Sequence, residues 1–279
     1  HKEYRRQRQM CIRDSTNIPS PLSPSWIALN KKTGELVGED GSGASEYALH
    51  AAWSSLTYGE VAGKETLIWG GTDGFCYGYK NETEKDADGY DLYQPIWKVD
   101  CNEPSYRKDK EGKKIPYATP PGPSELIGTP VLYKGKAYCA IGQDPEHGDG
   151  VGRLSCIDAS TGEVIWKYTD VGRTISTVSI ADDLVYLAEY AGIIHCIDAN
   201  TGKVYWTHDS FSRIWGSTLV VDGKLVLGNE DGDLLIMDHG KTKPEVQTIN
   251  MGAPVYSSPV VANGVLYIGT QTHLYAIGK

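Results

Sequence analysis

An eleven-residue phrase occurs twice in the chain, as CIDASTGEVIW from Cys156 and as CIDANTGKVYW from Cys196. Asp158, Asp198, Asp238 and Gly278 follow one another at steps of 40 residues, and Thr177, Thr218 and Pro259 mark equivalent strand starts at steps of 41. A fixed period of this length makes each unit a supersecondary structure that cannot bury its own apolar face and must stack against its neighbours. Two short runs rich in Val, Ile, Leu and Tyr precede each phrase, as in STVSIADDLVYLAEY and GSTLVVDGKLVLGNE. Gly, Asn and Asp punctuate the joints, and no segment sustains a 3.6-residue apolar period. Each unit therefore reads strand, turn, strand, loop, strand, D-x-x-T-G turn, strand. Four short strands in about 40 residues is the pattern of a propeller blade, so the sequence predicts an all-β chain of four-stranded blades.

Within the phrase the roles divide by chemistry. Asp158 and Thr161 in one copy, Asp198 and Thr201 in the next, can accept backbone N–H groups across a tight turn. Gly162 and Gly202 supply the positive φ such a turn needs. Trp166 and Trp206 end the outer strand, where a large ring can fill the gap between neighbouring blades. The partition that follows has a partial blade at 26–40 and blades at about 50–100, 125–170, 174–210, 215–250 and 255–279. Gly38 and Val246 stand where the outer Trp would be, and the two junctions they serve are expected to be less well packed.

The N-terminus stands outside this pattern. RRQRQMCIRDS (5–15) reads as the translation of a transposon adapter used in sequencing libraries, so 1–15 is set aside as a non-native segment. The chain holds 27 basic and 36 acidic residues. Removing the five basic and two acidic residues of 1–15 leaves 22 against 34, a net charge of −12. An acidic surface repels phosphate backbones, which argues against nucleic acid as a partner. No apolar run reaches the ~18 residues of a membrane span. Five cysteines fall in 16–279 (Cys76, Cys101, Cys139, Cys156 and Cys196) with no CxxC or adjacent pair. They read as buried small apolar side chains; a Cys139–Cys156 disulfide across one hairpin stays open.

The phrase A-x-D-x-x-T-G-x-x-x-W resembles the repeat signature of the pyrroloquinoline-quinone-like propellers, with Cys156 and Cys196 in place of its first Ala. That superfamily includes quinoprotein alcohol dehydrogenases and BamB-type outer-membrane assembly lipoproteins. NIPSPLSPSWIALNKKTG, AIGQDPEHGDGVGRL and SSPVVANGVLYIGTQTHLYAI are similar to secreted repeat proteins of planctomycete-type bacteria. The resemblance spans 16–279 and implies eight blades, of which about five are present here. It also implies a secretory signal upstream and an extracytoplasmic location. The incomplete count of blades predicts an open or imperfectly closed ring, with 26–40 pairing with 255–279 if it closes.

Catalytic members of that superfamily need a carboxylate base, a Ca²⁺ held by oxygen ligands and a Trp floor for the quinone. No carboxylate here matches those roles, so neither the quinone nor calcium is expected in 16–279. GQDPEHGDG (142–150) gathers Asp144, Glu146, His147 and Asp149 at a spacing that fits no standard metal site. DADGYD (86–91) departs from the calcium-loop pattern in its Gly and lacks the distal Glu. A surface is the stronger candidate. Two insertions, 101–127 and 142–152, fall on one face, and His50, Trp53, Glu125, Arg173, Arg213, Trp215 and Tyr256 come just before or at the inner strands. They ring the channel mouth either as anchors for a partner or as a polar and aromatic plug. Three functional readings stand: a non-catalytic binding or scaffold module for a protein, peptide or polysaccharide; a quinone- and calcium-dependent dehydrogenase of alcohols or sugars; and a sensor domain of a larger receptor. A monomer whose exposed strand edges invite aggregation is expected.

Overall fold

The computed structural model describes residues 23–47, 52–116 and 122–278. The adapter-like segment 1–15 and His50 lie outside them. Among the described residues, twenty-three strands form six sheets. In chain order, β1 (Ile27–Leu29) and β2 (Leu36–Asp40) open the first sheet. Strands β3 (Thr57–Val61), β4 (Lys64–Gly70) and β5 (Phe75–Lys80) begin the second, and a short hairpin, β6 (Glu84–Lys85) and β7 (Asp91–Tyr93), intervenes before β8 (Pro95–Asp100) completes it. The third sheet holds β9 (Val131–Tyr133), β10 (Lys136–Ile141), β11 (Arg153–Asp158) and β12 (Val164–Tyr168). The fourth holds β13 (Ser179–Ala181), β14 (Leu184–Ala188), β15 (Ile193–Asp198) and β16 (Val204–Asp209). The fifth holds β17 (Leu219–Val221), β18 (Lys224–Gly228), β19 (Asp233–Asp238) and β20 (Val246–Asn250). The last has three strands, β21 (Val260–Ala262), β22 (Val265–Gly269) and β23 (Leu274–Ile277). Each of the five later sheets is antiparallel and ordered as in the sequence, which is the propeller blade the repeat predicts.

The apolar residues sort into cores between sheets. In β10, Ala137, Cys139 and Ile141 face Ile68 and Cys76 of the second sheet, while Tyr138 and Ala140 face Val185 and Leu187 of the fourth. Successive side chains of a strand point to opposite faces, so a blade sandwiched between two others buries both. That is why β14 (LVYLA) is buried at every position instead of alternating. The same alternation rules out the Cys139–Cys156 disulfide. Register sets Cys139 opposite Ser155 and Tyr138 opposite Cys156, so the two sulfurs sit in different cores.

The D-x-x-T-G turns build the outer junctions. Asp158 Oδ1 accepts from the N–H groups of Ser160 (2.8 Å) and Thr161 (3.1 Å), and Thr161 Oγ1 accepts from Glu163 N–H (3.1 Å). Asp198 repeats this with Asn200 and Thr201, and Thr201 Oγ1 takes the N–H of Lys203. The Ser160 hydroxyl, reinforced by these backbone donors, holds the Asp158 carboxyl below its ordinary range. Trp166 Nε1 donates to Ala199 O of the next turn (3.1 Å), and Trp206 Nε1 to Gly240 O (3.0 Å). Trp97 does the same to Ala159 O (3.0 Å), a third member that the phrase search passed over. The glycine of each turn seats the incoming ring. At Gly162 (φ 79°) a Cβ would lie 2.8 Å from Trp97 Cβ, and at Gly202 (φ 74°) 2.8 Å from Trp166 Cε3. Across the strand pair these rings face small residues, Gly78 opposite Trp97, Cys156 opposite Trp166 and Cys196 opposite Trp206.

A second set of links joins the inner strands. Ser55 N–H donates to Thr129 Oγ1, Thr129 N–H to Thr177 Oγ1, Thr177 N–H to Ser217 Oγ and Ser217 N–H to Ser258 Oγ, at 2.7–3.1 Å. Each hydroxyl thereby satisfies a backbone donor of the preceding blade.

The first sheet differs from expectation. Strand β2 pairs in parallel with β7, so the hairpin β6–β7 extends the sheet outward, and 26–40 does not pair with 255–279. Gly38 has no loose junction either. A Cβ there would lie 2.6 Å from Thr83 Cγ2 and 2.9 Å from Tyr93 Cε2, because the hairpin fills the space a Trp would take. Tyr93 and Tyr79 both pack against Trp26 with ring centroids 5.2 Å apart, and Tyr79 Oη donates to Asp40 (2.9 Å).

Candidate functional site

The loops that enter the inner strands and those between second and third strands meet on one face. Ser124 ties the two insertions together, its hydroxyl donating to Val151 O (2.7 Å) and accepting from Val151 N–H (2.9 Å). Asn102 is bonded to Ser124 at both its amide nitrogen (2.9 Å) and oxygen (2.8 Å), anchoring the base of 101–127. Arg173 Nη1 donates to Gly148 O in the second insertion.

From Arg173 a continuous cluster extends across two blade junctions. The Arg173 guanidinium lies 4.4 Å from the ring centroid of Tyr190, and that of Arg213 lies 5.6 Å from the same ring. Tyr190 meets Trp215 edge to face at 5.0 Å, and Trp215 meets Tyr256 edge to face at 5.6 Å. Three residues singled out in the sequence, Arg173, Arg213 and Trp215, thus converge on Tyr190, which the sequence reading missed, and Tyr256 joins them through Trp215. Its position between β14 and β15 carries Gly142 in the third sheet and Glu230 in the fifth. The backbone shows the equivalence, since Gly142, Tyr190 and Glu230 each donate an N–H to the carbonyl of the residue entering the inner strand (Glu125, Arg173 and Arg213). A position that changes chemistry from blade to blade leaves no repeat signal.

The cluster is buried on one side and open on the other. Tyr190 is buried, Arg213 and Tyr256 are exposed, and Arg213 has an ion-pair partner, Glu230, only at 3.8 Å. The Trp215 Nε1–H is buried and meets no acceptor among the described residues. Guanidinium groups stacked on aromatic faces keep their in-plane donors available for carboxylates or carbonyls, so this surface suits recognition.

The other sequence candidates lie elsewhere. Trp53 is 46 % exposed and outside the cluster. Glu125 is not presented to a partner. Its backbone pairs with Gly142 (2.8 and 2.9 Å) and its side chain is buried, so desolvation, with the nearby charge of Asp144, raises its carboxyl to about 8.

Among the described residues no group of three or more His, Cys, Asp or Glu side chains is placed to hold a metal ion. Asp144 caps a short 3₁₀ turn by accepting from Glu146 N–H (2.8 Å), and Asp149 points to solvent 4.0 Å from Arg173. The DADGYD segment is the hairpin turn between β6 and β7. Asp86 accepts from the N–H groups of Asp88 and Tyr90 (both 2.9 Å), and Asp91 pairs with Lys85 (3.1 Å). These acids serve turns and ion pairs and do not converge as calcium ligands.

Among solved structures, the chain is similar to BamB from Moraxella catarrhalis, with 16 % identity and a TM-score of 0.61 over 90 % of this chain and 65 % of that one. It is similar to a chain of a mitotic checkpoint complex (12 % identity, TM-score 0.61, 91 % of this chain and 68 % of that). It is also similar to the computationally designed Ika8 protein (11 % identity, TM-score 0.53, 96 % and 83 %). At these identities the likeness is one of fold, and the chain spans just under two thirds of the length of the Moraxella protein. No curated protein matches the sequence. The family described as outer membrane protein assembly factor BamB matches residues 94–278, which take in the outer strand of the second sheet, the third, fourth and fifth sheets and the three-stranded last one, and the chain belongs to that family.

Proposed function

We propose that the chain is a non-catalytic, extracytoplasmic binding module that holds a protein partner on the face formed by Arg173, Tyr190, Arg213, Trp215 and Tyr256. The observation that carries this reading is the continuous stack itself. Two guanidinium groups and three aromatic rings in contact, one of them the buried Tyr190, provide anchors of the type that dominate protein interfaces. Membership of a family of outer membrane protein assembly factors supports both the location and a protein rather than a glycan as partner.

The test is binding of purified outer-membrane assembly proteins to the immobilised chain, with a glycan array run beside it. Arg213→Ala and Trp215→Ala are each expected to weaken the protein interaction at least about tenfold, the loss typical of a hot-spot truncation. Unchanged affinity in both variants removes this face from the reading, and selective glycan binding replaces the protein partner with a polysaccharide.

A further inference from the structure

Three of the five described cysteines meet in one place. Cys76 lies on β5 and Cys101 directly follows β8, both in the second sheet, whereas Cys139 lies on β10 of the third. All three are buried in the core between those sheets. The sulfurs of Cys139 and Cys76 are 3.2 Å apart, and Cys139 also interacts with the thiol of Cys101. Cys156 and Cys196 sit in other cores, each opposite a tryptophan. Cys139 is therefore the hub of a three-thiol cluster whose other two members belong to the neighbouring blade.

We propose that Cys76 and Cys139 form a disulfide that staples the second sheet to the third, with Cys101 as the alternative partner of Cys139 when Cys76 is removed. Two thiols lose two protons and two electrons as the S–S bond forms. A low-molecular-weight or protein disulfide accepts them and becomes two thiols. The thiolate of Cys139 attacks the external disulfide and releases one thiol. Cys76 then attacks the Cys139 sulfur of the mixed disulfide and releases the second. Burial pushes the Cys76 thiol up and leaves all three sulfurs without access to solvent, so the exchange belongs to folding, before the two sheets close. The bond closes a long loop across a blade junction, where restricting the unfolded chain has a large effect.

The experiment refolds the full chain in a glutathione redox buffer, alkylates it under denaturing conditions and maps the tryptic peptides. Because this is done in vitro, it succeeds or fails independently of the binding face and of the chain's location. The expected result is a linked pair of peptides, 65–80 and 137–153, holding Cys76 and Cys139. Cys76→Ala is expected to move the link to 99–107, the peptide of Cys101, and Cys139→Ala to abolish it. Reduction should lower the Tm of the wild-type chain by about 5–10 °C and leave that of Cys139→Ala unchanged. Free Cys76 and Cys139 in the refolded protein, a link through Cys156 or Cys196, or a Tm indifferent to reduction would each overturn the staple.

Discussion

Glu125 is a carboxyl placed where water cannot reach it. Burial first, and the charge of Asp144 second, raise it from an ordinary 4.5 to about 8. A folded-state value above the unfolded one means that the native chain holds the proton more tightly. Its contribution is fully present below about pH 4.5, declines as the unfolded chain ionises above that, and is lost by about pH 8. Glu125→Gln keeps the shape and removes the ionisation. It is expected to flatten the pH dependence between 5 and 8 and to be the more stable protein at pH 8, by up to about 4 kcal/mol. Urea unfolding of both proteins at several pH values checks this. At the junctions the balance is steric. Trp206→Ala should destabilise by about 3–5 kcal/mol by opening a cavity behind Gly240. Gly202→Ala should also destabilise, because the added Cβ meets the Trp166 ring while the backbone holds φ at 74°. Trp166 and Trp206 were legible because the phrase around them repeats. Trp97 was missed because its strand follows an insertion that breaks the spacing, although IWK recurs at 96–98 and 165–167.

The elements show the same division between what period reveals and what insertion hides. Strand pairs with a 40-residue repeat are readable because each strand pairs with its sequence neighbour. The hairpin β6–β7 is not, since its two strands are two and three residues long and its partner, β2, lies some fifty residues upstream in parallel. A short acidic segment offers no apolar alternation to betray a pairing decided by tertiary contact. Its contribution is concentrated in Tyr93, which is buried against Trp26 while Gly41 N–H donates to its carbonyl (3.0 Å). Tyr93→Ala is expected to cost about 3 kcal/mol, with quenching of Trp26 fluorescence by acrylamide increasing as the ring becomes exposed. Ile96→Ala, at an exposed position a few residues on, should change stability by under about 0.5 kcal/mol. Equal effects at the two sites would mean that the hairpin lies on the sheet without supporting it.

At the scale of the molecule, every sheet but the last is covered on its C-terminal side by the one that follows. Cross-strand register in the last sheet sets Val260 opposite Tyr267 and Tyr267 opposite Ala276, with Leu274 two residues along on the same face. Leu266, Ile268 and Tyr275 point the other way, into the core shared with the fifth sheet. Val260 and Leu274 are accordingly 58 % and 73 % exposed, whereas Leu234, the counterpart of Leu274 in the fifth sheet, is buried. An apolar sheet face with a free three-stranded edge is a template for association. The isolated chain is expected to self-associate with increasing concentration, seen as a rising weight-average mass in sedimentation velocity. Val260→Lys together with Leu274→Lys should return it to a monomer. Both side chains already face solvent, so the double variant should unfold within about 1 kcal/mol of wild type. The same charges placed at Leu234 and Ile268, which close the junction between the fifth and sixth sheets, should instead prevent folding of the last blade. Association unchanged by Val260→Lys and Leu274→Lys would locate the sticky surface elsewhere, with the outer edge of β6 as the next place to look.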